Sequence, residues 1–358
     1  FKMTGRKRQL SETREDSSSP MKRGKEKKGP AAAAAPAAPP LSAAEREWEE
    51  TDERLLAVTK SIMFAAGDGN APSETNARML LGLAQQQVRM VMAASEKRAA
   101  EQGRNEVTLR DVLLHFARHK MVLGRLLNHA KAAHLVISLS RQTKDDEDDE
   151  EKEEDGVPYE VEIPSSEDEA EESSEAGSTG EQAGAVGMRI SKNSAYAQLE
   201  AAIDSLEAGF TAAELTDASF EDLTRQARDR RMATRVRRLR EDVYKQFSEA
   251  RQATFVSRLK PKKYNGQSES TLFTSWLGLP PLDYVLTYVV SWLAKEIVTQ
   301  VVDDAYMCLL KENSSAPPRG RGPPSTVLTA YHYEEALRRN LGWRSRGDVL
   351  FGYIAPSE

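Results

Sequence analysis

Ala77-Arg78-Met79-Leu80-Leu81-Gly82-Leu83-Ala84-Gln85-Gln86-Gln87-Val88-Arg89-Met90-Val91-Met92-Ala93-Ala94-Ser95-Glu96-Lys97-Arg98-Ala99 is the stretch on which the fold turns. In it Ala77, Leu80, Leu81, Ala84, Val88, Val91, Met92, Ser95 and Ala99 recur at steps of three and four, which lines one face of a long helix. Ser73 is placed as its N-cap, Glu74 suits the positive end of its dipole, and Gly103 lies where a C-cap belongs. On the N-terminal side Leu55, Val58, Ile62, Met63 and Ala66 form a shorter stripe that stops at the turn cluster Gly67-Asp68-Gly69-Asn70. On the C-terminal side Thr108 can cap a helix carrying Val112, Leu113, Phe116 and Ala117, and Val122, Leu123, Leu126 and Leu127 extend that stripe. Residues 54–134 thus read as short helix, strap, long helix, strap and short helix pair. A unit of about eighty residues cannot bury so wide a stripe alone, so it is expected to pair with a like unit.

That arrangement resembles the histone fold. The specific part is Arg104-Asn105-Glu106-Val107-Thr108-Leu109-Arg110-Asp111, a strap arginine seven residues ahead of an aspartate in the first turn of the next helix. The resemblance implies a structural ion pair between Arg104 and Asp111 that closes the strap on the helix.

Composition adds limits. At 358 residues with 30% charged, 16 Pro and 6% aromatic residues, a large share of the chain is expected not to pack. A single cysteine, Cys308, excludes an intrachain disulfide and suits a buried thiol in a reducing compartment. No run of about 18 apolar residues is present, so no membrane contact is expected. Residues 1–53 form a tail with Arg6-Lys7-Arg8, the basic cluster at 22–28 and an Ala/Pro tract from Pro30 to Pro40, which suits a nuclear-import signal or a nonspecific nucleic-acid contact. Ser42 opens a capping box with Glu45. Residues 135–194 read as an acidic, disordered linker: from Asp145 to Glu175 there are 18 Asp or Glu and one Lys, and the rest of the chain then carries a net plus 11. Ser165, Ser166, Ser173 and Ser174 lie beside acids, where phosphorylation would add charge.

Residues 195–264 read as a helical basic connector. Leu199, Ile203 and Leu206 make a brief stripe broken at Gly209, and Phe220 and Leu223 lead into eight arginines, from Arg225 to Arg240, within sixteen residues. Such a helix suits phosphate, an acidic protein surface or the chain's own linker. The most telling short motif follows: Tyr244-Lys245-Gln246-Phe247-Ser248-Glu249-Ala250-Arg251-Gln252-Ala253-Thr254-Phe255. Its Ser248, Glu249, Arg251, Gln252, Ala253 and Phe255 resemble the pattern that precedes the second histone fold in the suppressor-of-Ty number three family of SAGA coactivator subunits. Met63-Phe64-Ala65-Ala66-Gly67-Asp68, Arg118-His119 and Arg125-Leu126 agree with it, while Lys120 stands where the family has an acid. In that family the two folds look like TBP-associated factors thirteen and eleven of TFIID joined in one chain.

Residues 265–342 carry the second set of signals. Leu272, Phe273, Trp276 and Leu277 form a short stripe closed by Pro280-Pro281, and Pro261 and Gly266 argue against a helix running into it from the motif. Leu282, Val285, Leu286, Val289, Leu293, Ile297, Val301, Ala305, Cys308 and Leu309 then repeat over a rod of roughly 40 Å. A Pro/Gly-rich strap from Ser314 to Pro324 leads to Leu328, His332, Glu335 and Arg338 at the spacing of the family's last helix, and residues 343–358 read as a C-terminal tail. His332 takes the aspartate position and Ser325 the strap-arginine position, so no closing ion pair is expected in the second unit.

The expected fold is therefore all-α, two histone-fold units pairing intramolecularly. His115 and His119 are four residues apart, but no Cys or acid completes a local metal site. Phosphate loops, nucleophile elbows and zinc spacings are missing as well, so no cofactor and no catalysis are expected. The resemblance implies a nuclear, noncatalytic, SAGA-like coactivator subunit that binds TATA-binding protein and helps deliver it to RNA polymerase II promoters. It implies partner subunits with histone folds and only indirect contact with DNA. Glu296, in Lys295-Glu296-Ile297-Val298, is the candidate exposed contact to TATA-binding protein. Two other readings stand beside it: a TFIID subunit fusion, and a DNA-binding histone-fold doublet, since residues 54–134 carry 12 Lys or Arg against 6 Asp or Glu.

Overall fold

A computed structural model describes residues 43–147, 194–217, 221–257, 263–264, 266–315 and 327–351. The basic clusters near the N-terminus, the Ser42 cap, most of the acidic run with its serines, Phe220, Pro261 and Ser325 lie outside the described residues.

The elements are α1 (Ala43–Ala66), α2 (Glu74–Glu101), α3 (Leu109–His115), α4 (Lys120–Glu147), α5 (Ala195–Asp204), α6 (Ala212–Thr216), α7 (Leu223–Val236) and α8 (Glu241–Gln252). A two-residue antiparallel hairpin follows, β1 (Lys263–Tyr264) and β2 (Gln267–Ser268), with Gly266 at φ +83° in its turn. Then come α9 (Glu269–Trp276), α10 (Tyr284–Ser315), α11 (Ala330–Arg339), α12 (Leu341–Arg346) and a 3-10 turn at Val349–Phe351. Apart from the hairpin and the 3-10 turn, the described residues are all-α in their regular structure.

Both long apolar stripes form helices, and they pack on each other. The stripe of α2, from Ala77 to Ala99, is buried, and so is nearly every residue of α10 between Val285 and Ala305. A helix apolar on all sides must be covered on all sides, and α1, α2, α5 and α11 supply that cover. By length and mean hydropathy Tyr284–Ser314 would also suit a membrane span, which the expectation of no such run missed; 89% of its most apolar window is buried against the rest of the chain.

Contacts between the two halves go beyond the crossing helices. Gln85 and Arg89 of α2 donate to the Trp276 and Leu277 carbonyls at the end of α9, at 2.7 and 2.5 Å. Arg54 of α1 pairs with Glu269 of α9 at 2.6 Å. The turn after α1 meets α11: Tyr333, 0% exposed, donates to Asp68 at 2.9 Å. Burial pushes the Asp68 carboxyl up, and the hydrogen bonds from Gly69 and Tyr333 only partly offset it. Residues 343–351, read from sequence as a tail, are docked instead. The buried Gln87 amide bonds the Gly347 carbonyl and the Val349 amide, and His115 lies 3.1 Å from Asp348.

Helix ends follow local chemistry, with differences from expectation. Gly103 is in the left-handed region at φ +70°, one residue past the Gln102 C-cap. Ser73 occupies the N-cap of α2, but its side chain makes no capping bond. The first unit has no break at 53, since α1 runs from Ala43, and α4 continues past 134 to Glu147. At the second strap Arg104 grips Asp111 with both nitrogens, at 2.9 and 2.7 Å, and Asp111 accepts from the Thr108 amide and hydroxyl. Burial alone would raise Asp111, 1% exposed, but these donors outweigh it and hold it down to about 2. Its contribution is present above the unfolded carboxylate value and is lost as pH falls toward 2.

In α11 His332 performs the same capping task with different atoms. Its Nδ1 accepts from the Thr329 amide at 2.9 Å, which leaves Nε2 to donate to Glu312 at 3.0 Å. An imidazole thus ties the segment before α11, the start of α11 and α10 together where the start of α3 uses an ion pair.

Tyr333→Phe tests the junction between the halves. It keeps the ring and leaves the buried Asp68 carboxyl short of a donor, so unfolding in denaturant should show a loss of about 1–3 kcal/mol; a change within error would mean that the junction is solvated.

Candidate interaction surface

The polar residues of α10 are the buried anomaly. Its charged residues are matched by groups from other elements, and they tie α4, α7, α8 and the junction of α11 and α12 to it.

Glu296 is 7% exposed, not the outward contact residue read from sequence. Its carboxylate accepts from Arg125 of α4 at 2.8 Å, and Arg125 also grips Asp222, the N-cap of α7, and reaches Gln300 at 3.2 Å. The physical reason is that α10 has no solvent face there, so a carboxylate on it is kept only if paired. Burial alone would depress the Arg125 guanidinium, but Asp222 and Glu296 outweigh it and hold its charge more firmly. Asp303 accepts from Arg228 at 2.6 Å and from Arg231, both on α7. Burial works against the Arg228 charge as well, and Asp303 more than offsets it. Lys295 donates to the Ala253 and Arg251 carbonyls at the end of α8, at 2.8 and 3.3 Å, a cation at the negative end of a helix.

Three of the eight arginines, Arg228, Arg231 and Arg235, are therefore spent inward. Arg231 also donates to the Ala66 carbonyl at 2.9 Å and lies over Tyr306, while Arg235 lies over the Phe64 ring and reaches the Phe64 carbonyl at 3.3 Å. Gly67, at φ +123°, permits this approach, because a Cβ there would stand 2.9 Å from the Met232 methyl. Sequence left three partners open for this helix; for its inner face the partner is an acid of the protein's own core.

The motif divides into two halves. Phe247 packs edge-on against Phe64, ring centres 5.7 Å apart, with Ala250 beside it. Phe255, 0% exposed, stacks on Phe273 at 5.7 Å, and the Val256 and Ser257 amides donate to Ser291 and Glu269. This inner half clasps α8 and the chain after it to both halves of the fold. The outer half does nothing of the kind. Ser248 is half-buried, while Glu249, Arg251 and Gln252 are exposed, and none of the four side chains bonds another described residue. Tyr244, 47% exposed, lies on the same helix. These side chains are free to meet another molecule, and they form the candidate surface.

Among the described residues no three His, Cys, Asp or Glu gather as a metal site, and His115 and His119 share no ion-binding partner set. Cys308 is buried and its thiol is pushed up by that burial.

Asp304 gives the network a pH dependence. Burial raises its carboxyl to about 7, with Asp303 adding to the rise, while Asn340 and Gln300, donating at 3.2 and 3.0 Å, oppose it. An unfolded aspartate titrates near ~3.9, so between there and about 7 the folded chain holds a proton that the unfolded chain has lost. Stability from this group is highest at the acid end and falls as pH rises through that window. Asp304→Asn loses one hydrogen bond at every pH but removes the charging cost. Its Tm relative to the native chain should therefore climb between pH 5 and pH 8, and a difference that stays flat would contradict the assignment. Arg125→Met leaves Asp222 and Glu296 buried without a cation and should cost about 3–5 kcal/mol in denaturant unfolding; a loss under about 1 kcal/mol would mean the pair is solvated.

No family model, no curated protein and no solved structure matches the chain.

Proposed function

We propose that the chain is an intramolecular histone-fold pair and serves as a noncatalytic, nuclear subunit of a SAGA-like coactivator. In this reading it binds TATA-binding protein and helps deliver it to RNA polymerase II promoters. The observation that carries the proposal is the motif between the halves, whose inner residues Phe247, Ala250 and Phe255 clasp both long-helix systems while its outer residues have no task in the fold. The pairing of α2 with α10, and the junction of the first turn with α11 through Asp68 and Tyr333, support the two-unit part of the reading.

Function then works by presentation. The crossed helices make a rigid platform, and the outer half of the motif, Glu249, Arg251 and Gln252 with Tyr244, meets the partner. Charged and amide groups around one exposed aromatic suit a specific, polar-rimmed contact. Glu296 contributes from inside, by holding Arg125 and through it α4 and α7.

Titration of the full chain with the core of TATA-binding protein tests this. Saturable binding is expected, weakened about tenfold or more by the pair Glu249→Lys and Arg251→Glu, with Tm unchanged because neither side chain has a bonding partner in the fold. No binding by the native chain would overturn the partner, and undiminished binding by the variant would overturn the surface.

A further inference from the structure

The outer face of α7 is left with positive charge after its inner face has been satisfied. Arg225 has Asp229 at 4.0 Å and Arg240 has Asp242 at 3.2 Å, but the guanidinium groups of Arg230, Arg237 and Arg238 are exposed and bond no described residue. Arg230 and Arg237 are seven residues apart, two helical turns, so these two lie on one side of α7, and Arg238 follows in the turn just beyond its end.

We infer that this strip is occupied by the chain's own acidic segment, residues 148–175, and that the segment competes there with outside polyanions. The charges match: the segment holds fifteen Asp or Glu and one Lys. The chemistry matches as well, since the inner face of the same helix already takes carboxylates, Asp303 from Arg228 and Arg231. Tethering favours the segment over any free competitor. It leaves from the end of α4, and the chain returns at α5, which packs on α4. The tether from 148 to 193 is 46 residues long. A tethered segment meets a site within its reach at an effective concentration that a free competitor lacks. Three outward arginines are also too few for firm phosphate binding, since proteins that hold duplex DNA through its backbone use about six to ten such contacts. The inference does not depend on which partner the motif meets.

The test uses the full chain in three forms: native; neutralised, with every Asp and Glu of 148–175 changed to Asn or Gln; and neutralised with Arg230→Glu, Arg237→Glu and Arg238→Glu added. The probe is a fluorescent peptide of residues 148–175, titrated at low and at high salt. The neutralised chain is expected to bind it saturably and more weakly at high salt. The native chain is expected to bind at least about tenfold more weakly because its own segment competes, and the arginine variant to lose the gain. Thermal unfolding serves as the control for all three, since the substituted arginines bond nothing in the described fold. Equal binding by the native and neutralised chains, no binding by the neutralised chain, or undiminished binding by the arginine variant would each overturn the inference. So would equal affinity of the native and neutralised chains for a short DNA duplex that depends on these arginines, which would mark the strip as an open nucleic-acid surface.

Discussion

The rest of the structure depends on the need to cover α10 on every side. Its 32 residues include scarcely one, between Val285 and Ala305, that reaches solvent freely. Burying that much apolar surface drives association at about 25 cal/mol per Å², but it does not say which helix goes where. The charged residues of α10 do so for α4, α7, α8 and the junction of α11 and α12. Glu296 takes α4 and, through Arg125, the start of α7; Asp303 takes the body of α7; Lys295 takes the end of α8; Asp304 takes Asn340, between α11 and α12. An unpaired charge at any of these positions is costly, so each one excludes most alternative packings.

Much of this was legible in the sequence, because helical stripes report burial directly. The stripes of α2, α3 and α10 and the turn at Gly67 needed only spacing and residue type, while the link between Arg104 and Asp111 was expected from the resemblance to the histone fold. The failures share one cause. Spacing says which residues lie on one face, but not what another element brings to the opposite face. Glu296 was expected to face outward on the likeness of Glu296-Ile297-Val298 to a motif of the coactivator family; its partner Arg125 is 171 residues away. The arginine run could not be divided for the same reason, since the inward set is chosen by Asp303, on a distant helix. The docking of residues 343–351 had no periodic signal at all: it rests on the amide of Gln87, which reads as an ordinary polar residue on a helix. In the candidate surface, the division of the motif became visible only once Phe64 and Phe273 were in place against it.

The same constraint separates what holds the protein together from what it offers to others. Groups facing α10 are fixed by pairing and are poor candidates for direct recognition. Groups on the outer sides of α7 and α8 are spared any structural task, so they can vary in charge without endangering the core. A connector that enters the fold with one face and leaves the other open is a way to attach recognition to a rigid pair of long helices.

The most direct test of the central claim, that neither half buries its long helix without the other, is to divide the chain between residues 148 and 193 and produce the two pieces separately and together. The account predicts that the pieces recovered together form a one-to-one complex that unfolds in a single transition, while each alone is aggregated or lacks a cooperative transition. A piece ending before residue 148 that is monomeric and unfolds cooperatively by itself would contradict it.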